Sequence, residues 1–107
     1  MRVATLALVA LILAGTAPLG HAADITVDQK NMQFTEKTVT IHAGDNILFT
    51  NSDQTRHNIT IKDSDGTLHD KGLAEYGKTI SVPFDKPGDY TILCSIHPMM
   101  KMKVTVQ

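Results

Sequence analysis

The sequence predicts an all-β domain, a Greek-key β-sandwich of about seven to eight short strands. Three observations carry that expectation. Period-two runs rich in β-branched and aromatic residues recur from residue 25 to the C-terminus. Clusters of Gly, Pro, Asp and Asn separate them. No segment of this part carries apolar residues at helical spacing over three turns.

Taken in order, the runs are 25–28 (ITVD), 38–42 (TVTIH), 46–50 (NILFT), 57–62 (HNITIK), 78–84 (KTISVPF), 89–94 (DYTILC) and 101–106 (KMKVTV). Ala43-Gly44-Asp45 separates the second run from the third, and Asp63-Ser64-Asp65-Gly66 ends the fourth. Lys86-Pro87-Gly88-Asp89 is expected to close a hairpin before the sixth. The stretch TLHDKG reads as a polar loop. Side chains alternate faces along a strand, so His57, Ile59 and Ile61 share the inward face of the fourth run, away from Asn58, Thr60 and Lys62. Tyr90, Ile92 and Cys94 share a face in the sixth. In the last run Met100, Met102, Val104 and Val106 oppose Lys101, Lys103 and Thr105, which puts Met100 on the buried parity and Met99 off it.

The first stretch reads as a leader rather than as part of the domain. Arg2 supplies a positive n-region, residues 3–14 (VATLALVALILA) form an uncharged apolar run, and Gly15, Pro18 and Gly20 break it. A run of roughly a dozen residues suits a signal-peptide h-region and falls short of the about 20 needed to span a membrane. Small residues at Gly20 and Ala22 suit cleavage, so residues 1–22 are expected to be removed and residues 23–107 to form one domain. Loss of Arg2 takes the formal net charge from −1 to −2, with acids and lysines interleaved. No basic patch points to nucleic acid or to an anionic membrane. A domain of this size buries only around 60–65% of its unfolded surface, and small exported domains usually add disulfides or a metal. With Cys94 as the single cysteine, no internal disulfide can form.

The chemistry concentrates in Cys94-Ser95-Ile96-His97-Pro98-Met99-Met100, entered from one strand and left by another. A thiol, an imidazole and a thioether in one tight loop, joined by His57 from a second strand end, make a His₂Cys(Met) set. That is the donor combination of blue-copper electron-transfer sites, a trigonal His₂Cys plane with a long axial methionine. Thiolate and thioether favour Cu(I) while the imidazoles keep Cu(II) acceptable. The expected metal ligands are therefore His57, Cys94, His97 and Met100, with Met99 an adjacent competitor for the axial place.

At these residues the sequence resembles the cupredoxins, and most closely the amicyanin-like members of the plastocyanin family. The resemblance rests on the loop CSIHPMM, on RHNITI around the upstream histidine and on PGDYTILCSIHP, and it covers essentially the whole of residues 23–107. It implies that His57, Cys94 and His97 form the strong ligand plane of one type 1 copper ion and that Met100 is the axial ligand. It further implies that Asn58 hydrogen-bonds to Ser95, tying the two ligand-bearing segments together, and that His97 lies near the surface in an apolar patch where redox partners dock.

Other readings of the same residues are weaker. A lone buried cysteine behaves as a small hydrophobe, but Cys94 stands at loop spacing from a histidine and a methionine. Zinc asks for four strong ligands or an open water position, and methionine serves neither. A Cys/His nucleophilic enzyme lacks an oxyanion-hole motif and an orienting third residue. His42 and His69 read as solvated surface residues, Met32 and Met102 as packing. Asp63, Asp65 and Asp70 read as turn chemistry, since the acid that ends a twelve-residue calcium loop is missing.

The expectation is a monomeric, periplasmic one-electron carrier, not an enzyme. Redox proteins would dock transiently near His97, with no nucleic acid partner and no membrane span after leader removal. The alternative is a periplasmic protein that buffers or delivers copper. An appended Met- or His-rich tail would mark that class, and the segment ADITVDQKNMQF has none.

Overall fold

The computed structural model describes residues 22–107, so the expected leader lies outside the described residues except for Ala22. Nine strands form there: β1 (Asp24–Lys30), β2 (Gln33–Phe34), β3 (Thr38–Ile41), β4 (Asp45–Asn51), β5 (His57–Lys62), β6 (Leu68–Ala74), β7 (Thr79–Phe84), β8 (Gly88–Leu93) and β9 (Lys101–Val106). They make a four-stranded sheet in the order β2-β1-β4-β7 and a five-stranded sheet in the order β3-β9-β8-β5-β6. Both sheets are mixed, with β1 parallel to β4 and β3 parallel to β9. The all-β sandwich is therefore present, with two strands more than the seven runs of the sequence. No helix among the described residues is long and apolar enough to cross a membrane.

Alternation builds the core between the sheets. The four-stranded sheet sends in Val27, Ile47, Phe49, Val82 and Phe84, and the five-stranded sheet sends in Ile41, Ile59, Ile61, Ile92, Met102, Val104 and Val106. Each buried aliphatic or aromatic side chain contributes about 1.5–3 kcal/mol relative to exposure, and that sum opposes the loss of chain entropy. Pro83, which donates no ladder hydrogen bond, is tolerated because β7 pairs on one side only, with β4.

Three expectations change. The TLHDKG stretch is not a loop: most of it lies in β6, an edge strand exposed over most of its length. With water on both faces it has no reason to alternate, so it leaves no period-two trace. The turn at 86–89 does not close a hairpin, because β7 and β8 lie in different sheets and the chain crosses the sandwich there. In β5, Asn58 and Thr60 are buried although they point away from the core. Hydrogen bonds, rather than apolar packing, compensate them.

Asp45 anchors the start of β1. Its Oδ1 accepts from Ala23 N at 2.9 Å and its Oδ2 from His42 N at 2.8 Å. These two backbone donors hold its carboxyl below the usual carboxylate range.

Two predictions follow from packing and charge. Phe49→Ala, at a fully buried ring edge-on to Phe34, should destabilise the metal-free domain by about 3–5 kcal/mol in urea unfolding. Leu68→Ala on the exposed edge strand should stay within about 0.5 kcal/mol. Because the folded pKa of Asp45 lies below its unfolded value, its stabilisation is complete above a pH of about 4 and is lost as pH falls through the folded pKa. Asp45→Asn should therefore flatten the loss of urea midpoint between neutral pH and pH ~3. An unchanged acid slope in that variant would show that other carboxylates carry it.

Candidate metal centre

The centre lies at one end of the five-stranded sheet, where β5, β8 and β9 are neighbours. Antiparallel pairing sets Thr60 opposite Leu93 and Ile92 opposite Met102. That register brings His57, at the start of β5, beside the loop that leaves β8 at Cys94 and enters β9 at Lys101. The loop closes on itself. His97 N donates to Cys94 O at 3.2 Å, Met100 N to His97 O at 2.9 Å, and Cys94 N to Met100 O at 3.4 Å. Two successive turns thus return Met100 over Cys94, and Pro98 suits such a turn because its φ is preset.

The three strong donors predicted from the sequence meet there. His57 Nδ1 and His97 Nδ1 are 3.2 Å apart, and Cys94 Sγ is 3.4 Å from His97 Nδ1. Donor atoms of His57, Cys94 and His97 all lie within 4.8 Å of one another. His57 and Cys94 are buried and His97 is half-buried. Met100 is 1% exposed and Met99 71% exposed, so burial separates the two methionines in the sense that strand parity predicted.

Asn58 joins the two ligand-bearing segments. Its Oδ1 accepts from Ser95 N at 3.0 Å and from Thr60 Oγ1 at 2.6 Å. Its Nδ2 donates to Asp70 Oδ1 at 2.9 Å and to Gly72 O at 3.1 Å. The side-chain amide thereby uses two lone pairs and two protons, its whole capacity. The backbone N of Asn58 also donates to Cys94 Sγ at 3.2 Å. A register shift opposite Asn58 and Thr60 supplies the β6 partners: Gly72, at φ +105°, forms a bulge that aims its carbonyl at Asn58.

The sequence reading missed Asp53. Its Oδ2 lies 2.8 Å from His57 Nε2 and accepts from Met32 N at 2.9 Å, while Oδ1 accepts from Asn31 N at 2.8 Å. Asn31 and Met32 are the two non-glycine residues with positive φ among the described residues, at 57° and 61°. Asp53 therefore pins a left-handed turn and a ligand together. Burial pushes its pKa up, but the donors Met32 N, His57 and Asn31 N outweigh this and hold it below the usual range. A carboxylate only accepts, so His57 carries its proton on Nε2 and leaves Nδ1 as a lone pair. No period or spacing marks Asp53; NSDQT reads as turn chemistry.

His42 is exposed, and His69 is exposed with Nε2 2.9 Å from Asp63 Oδ2. Asp63 and Asp65 both accept from Thr67 N, which is turn chemistry as expected. Met102 lies in the core and Met32 is half-buried.

The donor set fits a transition-metal ion. Two imidazole nitrogens about 2.0–2.1 Å from one tetrahedral ion are separated by roughly 3.3–3.4 Å, close to the 3.2 Å between His57 Nδ1 and His97 Nδ1. Two Nδ1 lone pairs facing a sulfur repel one another unless a cation or a proton lies between them, and soft sulfur with imidazole selects copper or zinc.

A β-sandwich with a His₂Cys cluster at the end of one sheet defines a class of metal-binding proteins. A family model described as copper binding proteins of the plastocyanin/azurin family matches residues 21–107, and the chain belongs to that family. It is 36% identical over 106 residues to amicyanin-alpha of Methylorubrum extorquens, covering 97% of this chain and 87% of that protein. It is 33% identical over 118 residues to a chloroplastic plastocyanin of Tetradesmus obliquus, covering 99% of this chain and 81% of that one. Among solved structures, an oxidised amicyanin variant superposes with a TM-score of 0.72 at 24% identity, covering 78% of this chain and 81% of the other. That last likeness is one of fold.

Asn58→Ala removes four hydrogen bonds and orphans Ser95 N, so unfolding of the metal-free domain should lose about 2–4 kcal/mol. Asp53→Asn should weaken metal binding by about 10–100-fold in chelator competition, because the amide cannot accept from all three donors. Equal affinity of variant and parent would show that Asp53 holds only the Asn31–Met32 turn.

Proposed function

We propose that the protein is an exported one-electron carrier that holds one type 1 copper ion at His57, Cys94 and His97, with Met100 as a weak axial ligand. The observation that carries this reading is the convergence of two Nδ1 atoms and one sulfur on a site with one half-exposed edge. Copper bound there supplies a Cu(II)/Cu(I) couple without substrate chemistry.

The chain's own residues account for the rest. The hydrogen bond from Asn58 N stabilises negative charge on Cys94 Sγ. Asp53 keeps the His57 ring oriented through an electron transfer. The closed loop supports little rearrangement between oxidation states. His97 is the ligand nearest solvent, flanked by exposed Ile96, Pro98 and Met99. That apolar rim suits brief docking of a redox protein at the small end of interface sizes. Burial supports Met100 over Met99 as the fourth ligand.

Export follows from the leader-like composition of residues 1–22. Cleavage before Ala23 would turn its nitrogen into an ammonium group beside Asp45 Oδ1, now 2.9 Å away, and so convert a hydrogen bond into an ion pair.

The test is addition of Cu(II) to the mature protein and to Cys94→Ser. Strong thiolate-to-copper visible absorption is expected in the first and none in the second. Voltammetry should then show a reversible one-electron couple, shifted by Met100→Leu and not by Met99→Leu. A colourless product from the parent sinks the copper site. A coloured but redox-silent protein that gives up reduced copper readily to a chelator belongs instead to the buffering and delivery class.

A further inference from the structure

Asn31 and Met32 are the two central residues of the tight turn between β1 and β2, where Lys30 pairs with Gln33 and Gln29 with Phe34. Both have positive φ, at 57° and 61°, as in a type I′ hairpin turn. Asparagine suits the first of these places and glycine the second. A methionine stands in the second, held by the Asp53 carboxylate, which accepts from Asn31 N at 2.8 Å and from Met32 N at 2.9 Å. Strain retained against so plain a preference points to a use for the side chain.

The surroundings of that side chain indicate the use. Met32, Met99 and Met100 line one groove of about 250 Å³, with Asn31, Phe34 and Lys101 among its other residues. β2 packs against β9 here, which lays the turn beside the end of the ligand loop. Burial grades the three thioethers: Met99 is 71% exposed, Met32 half-buried and Met100 buried. They form a series from solvent to the fourth ligand position of the metal centre. Core packing does not account for Met99, most of which faces water. No carboxylate lines the groove, and Lys37 and Lys101 stand exposed at its rim. Hard cations ask for oxygen ligands and negative charge, whereas neutral thioethers select a soft monovalent ion such as Cu(I).

We propose that Met32 and Met99 form an entry site for Cu(I) and pass the ion to Met100, and so to the centre at His57, Cys94 and His97. That the ion settles at a type 1 centre rests on the copper reading above; the thioether recognition does not. No electron moves in the transfer. Bonds from copper to Met99 and Met32 break as those to Met100 and Cys94 form, and the Cys94 thiol releases its proton to solvent. Methionine suits such an exchange, because its flexible chain lets the sulfur follow the ion.

The first measurement uses Ag(I), a redox-inert stand-in for Cu(I), on mature protein labelled at the methionine methyl groups, with Hg(II) blocking the centre at Cys94. The methyl signals of Met32 and Met99 should shift together and saturate at one Ag(I) per chain, with Met102 unmoved. Met32→Leu and Met99→Leu should each weaken that binding by about tenfold, with amide dispersion like the parent's. Because lysines flank the site, added sodium nitrate should leave the affinity unchanged or tighten it. The second measurement follows Cu(I) transfer from a weak chelator to the metal-free protein. The double variant should load about tenfold more slowly than the parent, and Met102→Leu at the parent's rate. Shifts confined to Met100 or Met102, binding weakened by salt as at a carboxylate site, or parent-like loading of the double variant overturns the proposal. Ag(I) shifts at Met32 and Met99 in a protein that stays colourless with Cu(II) sink the type 1 reading and leave the thioether site standing.

Discussion

The Asn58 side chain is the junction on which the metal centre depends. A side-chain amide has two lone pairs and two N–H protons, and here all four have partners, spread over three segments: the residue after Cys94, Thr60 on β5 itself, and two groups on the β6 bulge. Such a node holds three chain segments in one geometry, and a buried polar network is stabilising only when it is complete. The donor atoms themselves cannot do that job. Two imidazole nitrogens and a sulfur in contact repel unless a proton or a cation lies between them, so the fold holds them together independently of their own attraction. The saturated amide on one side and the self-closed loop on the other supply that restraint.

The two histidines are restrained unequally. His57 is fully buried, begins a strand, and is held at Nε2 by a carboxylate that is itself fixed by two backbone donors. His97 sits on the loop, half exposed, and its ring has its only hydrogen-bonding contacts among the described residues at Nδ1, toward the other donors. One ligand is therefore anchored to the body of the sandwich and the other to a short loop. The anchoring carries a local conformational cost, since Asn31 and Met32 both adopt the left-handed region that residues with a Cβ avoid. Two hydrogen bonds from Asn31 N and Met32 N to the Asp53 carboxylate offset that strain.

What was legible in the sequence followed from periodicity and from chemistry concentrated at short spacing. Alternation placed the inward rows of β5, β8 and β9, and it distinguished Met100 from Met99 because the parity of a strand extends a residue beyond its end. The donors Cys94 and His97 stood out through their spacing, and the Asn58–Ser95 bond followed from the family resemblance. β6 escaped because an edge strand in water has no inside, and alternation records only a difference between two faces. The crossing at 86–89 escaped because a tight turn looks the same whether the next strand pairs beside the last or joins the opposite sheet. Asp53 escaped because its role is tertiary: it acts on a ligand across a turn and on a distant hairpin, and neither leaves a mark at positions 51–55.

The placement of the site gives its ligands two different surroundings. Its ligands come from the end of one sheet, and two surfaces that share Pro98 lead to them. The loop tip leads to the His97 ring, with an apolar rim and no charge of its own. The sheet face leads to Cys94, with lysines and a partly apolar floor, through the Asn58 network. The same strand alternation produces both halves of the arrangement. In β9, Met102, Val104 and Val106 face the core that supports the ligands, and Lys101 and Lys103, at the intervening positions, charge the face beside them. A single register slip in β9 would expose the core row and bury the lysines together, so the metal centre and the charged face are specified by one constraint.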